Sequence, residues 1–176
     1  MVKKVLVAID PSAASQRAFS SALELADGLN AELVLVHALD VFDPASPEHP
    51  NIHSDSYSIA LDSLVRQTYE QEWAEFVEHS EALLKQKQAE AEALGLTTQY
   101  LQPYGRPGPA ICRTAKTTHA DLIVVGSRGH NDLTELILGS VSNYILHHAP
   151  CSVILVHPKG LRQDAADSQR AAAATA

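Results

Sequence analysis

Four consecutive apolar residues, Leu122 to Val125, run straight into Gly126. A short run of this kind, rich in β-branched residues and closed by glycine, fits a strand buried on both faces, which occurs in parallel sheets covered by helices on either side. Similar runs recur at Val5–Ile9, Leu33–Val36 and Ser152–Val156. Helical patterns separate them. After the first run, Ser12 is a candidate N-cap, and Ala18, Phe19, Ala22, Leu25, Ala26 and Leu29 share one face. A long helix is predicted from about Leu61 to Leu94, with Tyr69, Trp73, Phe76, Val77, Leu83 and Leu84 as its apolar stripe, a glutamate-rich solvated face and Gly95 as its stop. A weaker, more polar strand between Leu96 and Tyr104 suits a sheet edge. Pro107 opens a short helix with Ile111, Cys112 and Ala115 inward. Val141, Tyr144, Ile145 and His148 mark a last helix that ends before Pro150. The order βαβαβαβαβ predicts an α/β, doubly wound open sheet of five parallel strands with helices on both faces.

At 176 residues the chain suits one domain with a substantial core. A net charge of −8 with no basic stretch argues against a general nucleic-acid binder. No apolar run approaches the roughly 20 residues that span a bilayer, and the N-terminal run ends at Asp10, too early for a signal peptide. Cys112 and Cys151 are far apart and form no C-x-x-C, so reduced, buried thiols in a cytoplasmic protein are expected.

The chemistry concentrates after the Leu122–Val125 strand. Gly126 and Gly129 are spaced G-x-x-G, nine residues follow, and then come Gly139 and Ser140 at the start of the last helix. With Ser140 as N-cap, the amides of Val141 and Ser142 would lack intrahelical partners. Glycine amides after a strand, facing a helix N-terminus, make a cradle for phosphate. The same glycines could also merely shape a strand–helix connection. Asp10 has two readings as well: a site acid at the carboxyl end of the first strand, or a turn residue bonding the next helix's backbone.

The G-x-x-G, nine residues, G-[ST] pattern, with Gly105-x-Pro107 upstream, resembles the ATP-binding branch of the universal stress protein family over about residues 2–157. The resemblance implies a Rossmann-like sheet of strand order 3-2-1-4-5 and one domain over 1–158, with 40–60 as an inserted loop and 159–176 as a low-complexity tail. It implies ATP in the crevice between strands 1 and 4. The end of strand 1 (Ala8, Ile9, Asp10) would lie near the nucleotide, with Asp10 by the ribose and the metal, and Ala38 would lie against the adenine. Gly126, Ser127, Arg128 and Gly129 would line the phosphates, and Gly139, Ser140 and Val141 would hold their far end. Mg²⁺ or Mn²⁺ would bridge the phosphates with few protein ligands. Homodimerisation through strand 5 (Val153, Ile154, Leu155) is also implied.

Enzymatic signatures are missing. The sequence has no G-x-x-x-x-G-K-[ST], no G-x-G-x-x-G after a strand and no G-x-S-x-G elbow. A nucleotide-dependent switch or sensor is therefore expected, with at most weak ATPase or autophosphorylation, for which Arg128 and His130 are the candidates. A slow phosphoryl-transfer enzyme and a partner-binding dimer without nucleotide are the alternatives. The chain departs from the family pattern at Asn131 and Asp132, and in its long Pro- and His-bearing loop. His49, His53, Asp43 and Asp55 in that loop match no known metal-ligand spacing.

Overall fold

The computed structural model describes residues 1–50, 59–127 and 138–157, with side chains of the long helix from Asp62 onward. The tail beyond 157 and residues 128–137, which include Arg128, Gly129 and His130, lie outside the described residues. So do His53 and Asp55.

Five strands, β1 (Lys4–Ala8), β2 (Glu32–Val36), β3 (Thr98–Leu101), β4 (Leu122–Gly126) and β5 (Ser152–Val156), form one sheet of order β3-β2-β1-β4-β5. Every pairing is parallel. Four helices connect them: α1 (Ala13–Leu29), α2 (Ile59–Glu92), α3 (Pro107–Thr117) and α4 (Ser140–His148). The doubly wound sheet expected from the alternation is present, and so is the strand order that the resemblance implied. Its direction of winding reverses between β1 and β4.

Strand alternation divides the core into two layers. Val5, Val7, Leu33 and Leu35 face Phe19 and Ala22 of α1 and Leu84 of α2. Leu6, Val34, Val36 and Ile123 face Ile111 and Ala115 of α3 and Ile145 of α4. β4 is buried along its whole length, as its unbroken apolar run requires. Burying each large aliphatic or aromatic side chain of these layers stabilises the fold by roughly 1.5–3 kcal/mol. On α1 the predicted face is buried at Ala18, Phe19, Ala22 and Ala26, whereas Leu29 in the last turn is exposed. Asn30 caps that helix in the left-handed region, donating its amide to Ala26 and Asp27.

α2 packs chiefly through its C-terminal half. Leu84 and Ala91 are buried there, while Leu64 and Val65 near the start are exposed. The aromatic stripe expected in the core is therefore only partly buried. Trp73 stacks instead on the exposed ring of Tyr104 (centroids 6.4 Å). The Tyr100 hydroxyl donates to Glu81 (2.7 Å), tying the edge strand β3 to α2. Gly105 turns the chain at φ 112°, a conformation that favours glycine. This places Pro107 at the start of α3. Cys112 and Cys151 are free and half-buried, and burial pushes both thiols above their ordinary pKa. Among the described residues no helix is long and apolar enough to cross a membrane.

The start of the sheet is pinned by one carboxylate. Asp121 accepts the amides of Lys3 (2.8 Å) and Lys4 (3.1 Å), locking the N-terminus beside β4. These two bonds hold its pKa below the ordinary 3.8. A lowered carboxylate pKa adds stability above the unfolded-state value, and that stability is lost as pH falls through the folded-state value. Asp121→Asn should therefore lower stability at neutral pH, and the gap to wild type should close as pH drops below 3.8. Urea titrations at a series of pH values measure this, and a gap independent of pH would contradict it.

Candidate functional site

The reversal between β1 and β4 opens a crevice at the carboxyl ends of the strands, where ligands of open α/β sheets bind. Each wall is held by a short set of hydrogen bonds.

On the β1 side, the turn into α1 is built around Asp10. Its amide donates to the Ser15 hydroxyl (2.8 Å), and its carboxylate accepts the Ser12 amide (2.7 Å). Ser12 is the N-cap, as the sequence predicts, accepting the Ser15 amide at 3.1 Å. Ser15 also donates to the Ala8 carbonyl at 3.3 Å. The turn reading of Asp10 is thus realised through one carboxylate oxygen. Ile9 lies beyond β1 as observed, yet its amide still donates to Val36 (2.8 Å), so the sheet continues to the crevice. His37 is buried with its Nδ1 on the Ile9 carbonyl at 2.8 Å. Ala38 beside it is buried.

On the β4 side, Gly126 has a packing reason for lacking a side chain. A Cβ there would lie 2.8 Å from the carbonyl oxygen of Ala14 and 2.9 Å from its Cβ. The first turn of α1 thus presses directly on the end of β4. The Gly139 amide donates to the Ser127 carbonyl (2.9 Å), and the Ser142 hydroxyl donates to the Gly126 carbonyl (2.6 Å). These two bonds clamp the start of α4 against the strand end. α4 begins one residue earlier than predicted: Gly139 is the N-cap and Ser140 the first helical residue. Asn143 makes the first intrahelical bond, to Gly139 (2.9 Å), so the amides of Ser140, Val141 and Ser142 precede the ladder. Beside them the Ser127 hydroxyl is buried, at 3% residue exposure, without a partner among the described residues.

The structure thus brings Gly126, Ser127, Gly139, Ser140 and Val141 together around one helix N-terminus, with Ala8, Ile9, Asp10 and Ala38 at the ends of the two adjoining strands. Among the described residues no group of three or more His, Cys, Asp or Glu side chains is arranged to hold a metal ion. Sequence reasoning missed the Ser142 clamp, the Ser15 network and the Ala14 contact. All three depend on long-range or turn geometry that no local pattern reveals.

The universal stress protein family model matches residues 1–157. The chain belongs to this family. Universal stress protein YxiE of Bacillus subtilis is 32% identical over 157 residues, covering 89% of this chain and 99% of the relative. The structure of universal stress protein UspA from Lactobacillus plantarum is similar with a TM-score of 0.67 and 28% identity, over 88% of this chain and 97% of that one. Two further solved structures share the fold. One is a universal stress protein in complex with cAMP (TM-score 0.59, 24% identity, 89% of this chain and 97% of that one). The other is an Arabidopsis thaliana family protein with AMP bound (TM-score 0.58, 20% identity, 90% of this chain and 93% of that one).

The Ala14 contact gives a direct expectation. Backbone cannot yield as a flexible side chain can, so Gly126→Ala should cost about 1–3 kcal/mol through overpacking. Chemical denaturation measures this, and an unchanged midpoint would show that α1 moves aside freely.

Proposed function

We propose that this universal stress protein binds ATP with Mg²⁺ or Mn²⁺ in the β1–β4 crevice and acts as a nucleotide-dependent switch or sensor, with at most weak ATPase or autophosphorylation activity. The observation that carries the reading is the buried Ser127 hydroxyl, without a partner among the described residues, at the strand end clamped to the first turn of α4. A buried polar group without a partner is rare and asks for one, and phosphate oxygens accept from hydroxyl and amide alike. The N-terminal end of the helix dipole adds attraction for an anion. Arg128 and Gly129 belong to the proposed phosphate loop by position in the sequence. The family members crystallised with cAMP and AMP support an adenine nucleotide as the ligand class.

The residues fit a metal carried in by the nucleotide. Asp10 has one carboxylate oxygen on the Ser12 amide and is the proposed protein contact to the ion. Mg²⁺ commonly keeps several waters and binds through one or two carboxylates plus phosphates. The ion's chemistry here is neutralisation of phosphate charge. The chain's own contribution is to hold the phosphates at the α4 amides, leave room at Ala38 for a flat ring and fix Asp10 through the Ser12–Ser15 network.

Ser140→Asp separates folding from binding. A carboxylate in the first turn favours the helix by about 0.3–1 kcal/mol but repels a phosphate at the same place. Calorimetric titration of nucleotide-stripped protein with ATP and Mg²⁺ should give saturable binding in wild type. In the variant it should be at least about tenfold weaker, a cost of about 1.4 kcal/mol, with the melting temperature unchanged or raised. Equal affinity in both proteins would remove α4 from the site.

We also propose a homodimer through β5. Among the described residues this edge strand pairs with β4 alone, and Val153, Ile154 and Leu155 on it are partly buried. An apolar edge of this kind invites a second copy. Sedimentation at micromolar concentration should give twice the monomer mass, reduced to one mass by Ile154→Lys. A wild-type monomer would contradict it.

A further inference from the structure

A second cavity lies on the opposite face of the sheet from the α4 cradle. It has a volume of about 390 Å³, within the roughly 300–1,000 Å³ of small-molecule sites. Phe76 and Leu83 of α2 form its apolar side, and Pro11 and Pro47 lie across from them. Leu83 belongs to the α1–α2 core layer, which fixes the face on which the cavity sits.

His37 lines this cavity and is 6% exposed. The Ile9 carbonyl can only accept, so the Nδ1 that contacts it at 2.8 Å carries the proton. The Phe76 ring of α2 lies with its centroid 6.5 Å from that of His37. Nε2 is buried and has no hydrogen-bond partner among the described residues. In the neutral ring it is an acceptor without a donor, which a native interior rarely tolerates.

Of the other polar groups around the cavity, Ser80 accepts from Gln102 Nε2 (2.9 Å), Asp43 from the Ala45 amide (2.8 Å) and Glu75 from Gln71 Nε2 (3.4 Å). The Ser46 hydroxyl donates to the carbonyls of Val41 and Asp43, and that of Ser80 donates to Phe76 and Val77. Among the described lining residues, Asp43, Glu72 and Glu75 contribute three carboxylates, against no Lys or Arg. His79 lines the cavity too, on the exposed side. No three of these groups are arranged to hold a metal. An apolar interior bounded by acceptors and negative charge selects a ligand with an apolar body and a positively charged donor.

We propose that this cavity is a binding site for a small organic ammonium compound, whose apolar part packs on Phe76 and Leu83 and whose N–H groups meet His37 Nε2 and the acidic rim. The cavity borders the proposed ATP site at Pro11 and His37, the chain neighbours of Asp10 and Ala38, and the rest of its lining comes from α2 and the loop before it.

Three probes with one indole body test it on the full chain: tryptamine (cation), tryptophol (neutral) and indole-3-propionate (anion). Calorimetry should show 1:1 binding of tryptamine at least about tenfold tighter than indole-3-propionate, with tryptophol between them. The histidine ring ¹⁵N spectrum should show the His37 Nε2 signal moving with tryptamine. Glu72→Gln with Glu75→Gln, both exposed, should weaken tryptamine several-fold at unchanged melting temperature. Ser140→Asp should leave tryptamine binding unchanged, so failure of the ATP site and failure of this one are read separately. Equal affinity for the three probes, an unmoved His37 signal or indifference to the double substitution would each overturn the proposal.

Discussion

The close approach of α1 to the end of β4 is the constraint on which the site depends. Gly126 has room for no side chain because Ala14 occupies the space. That contact sets where α1 begins, and so where the Asp10–Ser12–Ser15 turn sits relative to β4. The Ser142 hydroxyl then holds α4 on the same glycine's carbonyl. One residue without a Cβ thus joins the start of α1, the end of β4 and the start of α4. A glycine that would pass as a phosphate-loop feature is first a packing feature, and any effect of its substitution on ligand binding is mixed with an effect on the fold.

The two sides of the sheet are built differently at their crevice ends. On the α3–α4 side, the clamp leaves the amides of Ser140, Val141 and Ser142, which are donors, ahead of the helical ladder. On the α1–α2 side, His37 and the carboxylates of α2 and the preceding loop present acceptors. The two proposed ligands, an anion and a cation, follow from that difference. Ile9 lies where the two sides meet: its amide extends the β1–β2 pairing, and its carbonyl accepts a hydrogen bond from His37 Nδ1.

Much of the architecture was legible in the sequence because it rests on periodicity. The fully buried β4 run, the Ser12 cap and the stop at Gly95 each follow from local chemistry. The strand order needed the family resemblance, since alternation alone does not say on which side of β1 the fourth strand falls. The start of α4 was misplaced by one residue. Gly and Ser are both competent caps, and the choice was made by tertiary bonds: the Gly139 amide to Ser127 and the Ser142 hydroxyl to Gly126. The aromatic stripe of α2 was read as core because its spacing is helical and apolar. Its N-terminal half instead extends past the strands it would need to cover, and Trp73 finds Tyr104 there.

The proposed nucleotide binding in the crevice depends on the first-turn amides of α4 holding an anion. Backbone amide spectra recorded while ATP and Mg²⁺ are added to isotope-labelled protein test it most directly. The signals of Ser127, Ser140, Val141 and Ser142 should move together and saturate together, while those of Phe76 and His79 on α2 stay in place. Movement confined to α2, or saturation without any change at Ser140 and Val141, would contradict it.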